Sequence, residues 1–206
     1  MATTTTYLGL TKPATNEAYD IAIHNTNADL IDEEFTKLST PRFNDIVFEL
    51  TPSRIGSNDK PDYDYTNVGL LFPQNNVNEI AYFTIQLPHS WKVGTTIYPH
   101  IHIIQSANQQ ATFRVEYKWY DIGDPVPANW SIYNLDTYAI TYTSGTISNI
   151  IKGTDGIDGA GMGISSILKI KLFRTDNVYT GDMLADQFDI HIEIDGFGSQ
   201  EEYIKT

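Results

Sequence analysis

The sequence predicts a mainly β protein, an antiparallel β-sandwich of jelly-roll type preceded by a short N-terminal helix. Three observations carry that expectation. From Phe43 onward, short apolar and aromatic runs are separated by Gly, Pro, Asn and Asp, the pattern of strands joined by turns. No helical periodicity lies between those runs, which argues against strand–helix–strand units and a parallel sheet. Before Pro41 the apolar spacing is instead that of a helix. The chain therefore reads as a helical N-terminal segment, residues 1–40, and a β body, residues 41–206.

In the first segment, Thr15 or Asn16 can cap a helix whose first turn carries Glu17 and Asp20, acidic groups that suit the positive end of the helix dipole. Residues Asn25 to Leu38 continue it. Ile21, Ala28 and Phe35 fall seven apart, and His24, Ile31 and Leu38 stand three further on, which makes an a/d seam. The seam covers about two and a half heptads, so two uses stay open. It packs on the chain's own β body, or it joins copies of the chain or docks on a partner. His24 reads as a polar group tolerated at the seam, although three copies meeting at an axis would be pH-sensitive.

In the body, the expected strands are Asp45–Leu50, Val68–Phe72, Ile80–Leu87, Thr96–Ile104, Ala111–Tyr120, Ile132–Tyr142, Ile164–Phe173 and Phe188–Asp195. The clearest is Ala111–Tyr120, where Phe113, Val115, Tyr117 and Trp119 alternate with Arg114, Glu116, Lys118 and Tyr120, one face buried and one wet. Two long connections, Thr51–Asn67 and the glycine-rich Lys152–Gly163, are expected as surface loops.

Composition narrows the function classes. With 41% hydrophobic residues the chain can build a core without staples, and with no cysteine it has neither disulfides nor thiolate chemistry. A formal charge of −13 repels nucleic acid and anionic membranes. Met1–Thr6 is a polar Thr tract without the basic and apolar regions of a signal peptide, and no apolar run is long enough for a membrane span.

Enzymatic leads are few. In Gly94-Thr95-Thr96-Ile97-Tyr98-Pro99-His100-Ile101-His102, the alternate histidines point to one side of a strand and can grip one metal. The run resembles the opening of the cupin metal motif. It departs from that motif after His102, where Ile103, Ile104, Gln105 and Ser106 stand and no carboxylate follows until Glu116. His191 can supply a third ligand if its strand neighbours the first, since Asp189, His191, Glu193 and Asp195 share one face and Ile190, Ile192 and Ile194 the other. Ordinary half-exposed strands show the same alternation. The loop Gly153–Gly163 lacks the Gly-Lys-Ser/Thr ending of a P-loop and the closing glutamate of an EF-hand, so no cofactor is implied.

Tyr7-Leu8-Gly9-Leu10-Thr11-Lys12-Pro13, Tyr19-Asp20-Ile21 and Asn25-Thr26-Asn27-Ala28-Asp29-Leu30-Ile31-Asp32 resemble the start of tailed-phage fibre and appendage proteins. The resemblance implies a segment that docks on other virion proteins, capsid or tail, usually as a homotrimer. Pro99-His100-Ile101-His102, Asp189-Ile190-His191 and Gly198-Ser199-Gln200-Glu201-Glu202 are similar to virion structural proteins of phages. These resemblances imply a non-enzymatic virion protein made in the host cytoplasm, a capsid decoration or short head fibre. A tail-fibre tip that recognises a host surface ligand is the alternative, and a cupin-like metal enzyme comes third.

Overall fold

The computed structural model describes residues 3–5, 9–12, 14, 20–50, 60–74, 76–176 and 178–196, without the side chains of residues 37–39 and 49. It divides into two compact units, Met1–Arg42 and Phe43–Thr206.

The first unit opens with two short antiparallel strands, β1 (Thr3–Thr4) and β2 (Thr11–Lys12), followed by α1 (Ile21–Ser39). The helix is thus internal, not the first element of the chain. Strands of two residues are too short to leave a periodic trace, so the sequence pattern passed over them. Asp20 caps α1, its Oδ1 accepting from the Ala22 N–H at 2.8 Å, so it stands ahead of the first turn and not within it. The expected caps Thr15 and Asn16, with Glu17, lie outside the described residues. Asn27 ties the helix to β2: its amide donates to the Thr11 carbonyl at 2.9 Å and its Oδ1 accepts from the Thr11 N–H at 2.8 Å. Ile23, Asn27, Leu30 and Glu34 share that half-buried face at helical spacing.

The second unit is mainly β and antiparallel. Its strands are β3 (Arg42–Glu49), β4 (Asp62–Asp64), β5 (Gly69–Phe72), β6 (Ala81–Gln86), β7 (Tyr98–Gln105), β8 (Phe113–Tyr120), β9 (Ser131–Leu135), β10 (Thr137–Tyr138), β11 (Ile147–Lys152), β12 (Ile167–Arg174) and β13 (Met183–Ile194). One sheet runs β10-β11-β7-β13-β5-β4, with β3 also paired to β13, and the other runs β6-β12-β8-β9. Alternation decides what each face does. Ile101 and Ile103 of β7 and Phe188, Ile190 and Ile192 of β13 join Phe113 and Val115 of β8 and Leu168, Ile170 and Leu172 of β12 in one buried cluster. The opposite face of β7 and β13 carries His100, His102, Asp189 and His191, next to Ile104 and Leu184.

Several expected boundaries shift for local reasons. Val68 does not start a strand: it sits at φ 58°, outside the extended region, and β5 begins at Gly69. The stretch 132–142 breaks at Asp136, so that β9 pairs with β8 while β10 pairs with β11 in the other sheet. Strand β11, whose Ile-Ser-Asn-Ile-Ile-Lys does not alternate cleanly, was not expected. The glycine-rich segment after it is no simple surface loop, because Ile157 is 2% exposed and exchanges backbone hydrogen bonds with Ile97 at 2.8 and 2.9 Å. In Thr51–Asn67, residues 51–59 lie outside the described ones and 62–64 form β4. No helix among the described residues is long and apolar enough to cross a membrane.

Candidate metal centre

The register between β7 and β13 assembles the polar cluster. Asp189 stands directly opposite His100, Gln187 opposite His102 and His191 opposite Tyr98, all in antiparallel pairing. A β-bulge between Ala185 and Gln187 changes the phase of β13, so Met183 and Ala185 before it and Phe188 and Ile190 after it all face the core. Its consequence at the site is that Asp189 and His191 emerge beside His100 and His102.

His100 Nε2 lies 2.8 Å from Asp189 Oδ1, and His102 Nε2 lies 3.4 Å from Asp189 Oδ2. One donor atom from each of the three residues lies within 4.8 Å of the other two. His100 and Asp189 are each 4% exposed, and the His102 side chain is 27% exposed. Despite its closeness to His100, Asp189 Oδ1 is buried and receives no aligned hydrogen bond. On the far side of the His100 ring, Nδ1 is 3.4 Å from the Tyr98 carbonyl oxygen, to which only an N–H can donate.

The sequence pattern named His191 as third ligand; its ring packs on His100 at 4.3 Å between centroids, while its Nε2 pairs with Asp45 Oδ1 of β3 at 2.9 Å. Burial pushes the His100 imidazole down, but the pairing with Asp189, the Tyr98 carbonyl and the charge of Asp45 outweigh it and leave its pKa above the ordinary histidine value. Beside the cluster, a cavity of about 320 Å³ is lined by Tyr98, His100, Tyr133, Lys152, Thr154 and His191 among others. Asp45 and Asp189 escaped the sequence reading as partners of the histidines, although Asp189 already shared a strand face with His191. No signal in one chain's sequence gives the register that places it opposite His100.

The seam residues of α1 sit elsewhere, in the first unit. Ile21, His24, Ala28, Ile31 and Phe35 are all exposed, and the Leu38 side chain lies outside the described residues. No family model, curated protein or solved structure matches the chain.

Proposed function

We propose that the chain is a non-enzymatic structural protein of a tailed-phage particle, self-associated through α1 as a homotrimer and presenting its β body outward as a capsid decoration or short head fibre. One observation carries this reading: Ile21, Ile31 and Phe35 are 58%, 38% and 65% exposed on a helix whose other face already holds the β1–β2 hairpin. Contiguous exposed apolar side chains mark a contact surface. Ile21, Ala28 and Phe35 fall seven apart, with Ile31 three beyond Ala28, and that repeat selects a helix of the same repeat, which an identical copy presents. The trimer itself rests on the resemblance of the N-terminal segment to phage appendage proteins.

The strand pairing supports reading the body as a jelly roll. Numbering β5, β6, β7, β8, β9, β11, β12 and β13 as one to eight, the pairs β5–β13, β6–β12, β7–β11 and β8–β9 join first to eighth, second to seventh, third to sixth and fourth to fifth. That is the pairing of a long hairpin wrapped into two four-stranded sheets. A host-ligand surface is the second reading, favoured by Tyr65, which is 84% exposed and edge-on to Tyr63 at 4.8 Å. Binding of the purified chain to host cells would favour it.

The attachment reading predicts that the full chain scatters light with three chain masses. Ile31→Asp with Phe35→Asp should give one chain mass at the same concentration. A parent chain that stays monomeric at high micromolar concentration overturns the reading.

A further inference from the structure

We propose that His100, His102 and Asp189 form a binding site for one divalent transition-metal ion per chain, such as Zn2+ or Co2+. The site belongs to the β body, and the inference is independent of how the chain attaches.

Pleating puts His100 and His102 on one side of β7, and the antiparallel register puts Asp189 opposite His100. Ligands that each lie about 2.1 Å from one ion in tetrahedral array stand about 3.4 Å apart; His102 and Asp189 already have that separation at 3.4 Å, and His100, at 2.8 Å from the other carboxylate oxygen, has to withdraw by a few tenths of an ångström. Two neutral imidazoles and one carboxylate are a donor set for borderline ions. Thiolate-seeking Cu+ finds no sulfur here, and Ca2+ or Mg2+ would find a single oxygen donor residue.

Orientation favours the ion as well. In the neutral tautomer that carries its proton on Nδ1, facing the Tyr98 carbonyl at 3.4 Å, His100 presents the Nε2 lone pair to the cluster, the arrangement of metal-bound histidines. That lone pair faces a buried carboxylate oxygen that receives no aligned hydrogen bond. Two acceptors 2.8 Å apart need a positive charge between or beside them. Asp45 holds His191, and the His191 ring packs on His100, so a further layer restrains the ligand. The partial exposure of His102 provides an entry path and leaves the remaining coordination positions to water.

The test is calorimetric titration of the chelator-stripped full chain with Zn2+, with Co2+ absorption as a reading of ligand geometry. The expected result is one ion per chain at micromolar or lower dissociation constant. His102→Gln, at the more exposed ligand, should weaken binding by about 100-fold or more while leaving thermal unfolding in chelator unchanged, and Asp189→Asn should weaken it similarly. His89→Gln, which alters a histidine that bonds Ser165 Oγ at 3.1 Å, should bind as the parent does. Uptake only at millimolar concentration would mean that the cluster is a buried imidazolium–carboxylate pair, and overturns the proposal. So would parent-like binding by folded His102→Gln, or binding abolished by His191→Gln and retained by Asp189→Asn.

Discussion

Arg174 shows how this core admits a charge. Its side chain has no exposed surface, and the guanidinium is satisfied on every side. Nε and Nη2 reach Asp176 at 2.8 and 3.1 Å, Nη1 donates to the carbonyls of Phe72 at 3.2 Å and Gly181 at 2.6 Å, and Nη2 also donates to the Tyr179 carbonyl. The group staples the end of β12 to β5 and to the turn that leads into β13. Burial pushes the Asp176 carboxyl up, but Arg174 and the N–H groups of Thr112 and Tyr179 outweigh it and hold the pKa below the ordinary 3.8. The sign of the pH effect follows. Asp176 contributes its full stabilisation above pH 3.8 and loses it as pH falls through the lower folded value. Asp176→Asn leaves a buried guanidinium without its counter-charge, so the unfolding free energy at pH 7 should drop by about 3–5 kcal/mol. Urea unfolding across pH should show the variant and the parent converging at the acid end, and parallel curves would refute this assignment.

At the scale of elements, the legible strands were those whose alternation survives intact. In β8 every second residue from Phe113 is aromatic or aliphatic, and the structure buries Phe113, Val115 and Trp119. The N-terminal half of β13 was lost to the sequence reading because the bulge reverses the phase of the pattern between Ala185 and Gln187. The candidate site failed in the same way. His100 and His102 share a face by local geometry, whereas the approach of Asp189 depends on a register between strands more than eighty residues apart in the chain. The glycine-rich segment is a third instance, where flexible composition conceals a tightly packed element. A Cβ at Gly159 would meet the Thr95 carbonyl and, at 2.7 Å, Cζ2 of buried Trp91. Neither backbone nor a buried indole can retreat without disturbing the core. Gly159→Ala should therefore destabilise the body by about 1–3 kcal/mol, read as a lower urea midpoint at unchanged slope. An unaltered midpoint would show that the segment yields freely.

At the scale of the molecule, the two units draw their stability from different sources. Among the described residues, the buried cluster is built wholly from the second unit, from Leu50 to Ile192. The described residues of the first unit include a 19-residue helix on which the seam residues Ile21, Ile31 and Phe35 are exposed. With its Thr, Asn, Asp, His and Ile residues α1 is composed largely of weak helix formers, and most helical stability in proteins comes from packing an apolar face. If α1 gains that packing from other copies of the chain, its order depends on concentration, whereas the order of the body does not. Removing residues 1–38 should leave a soluble body that unfolds in one cooperative thermal transition within a few degrees of the main transition of the parent. The truncated chain should scatter light as a monomer and lose the helical part of the far-ultraviolet dichroism. Diluting the full chain below its association constant should reduce that same helical signal before the β transition is affected. A truncated body that aggregates or unfolds at room temperature would mean that the first unit supports the second. Helicity that persists unchanged on dilution would mean that α1 finds its packing within one chain.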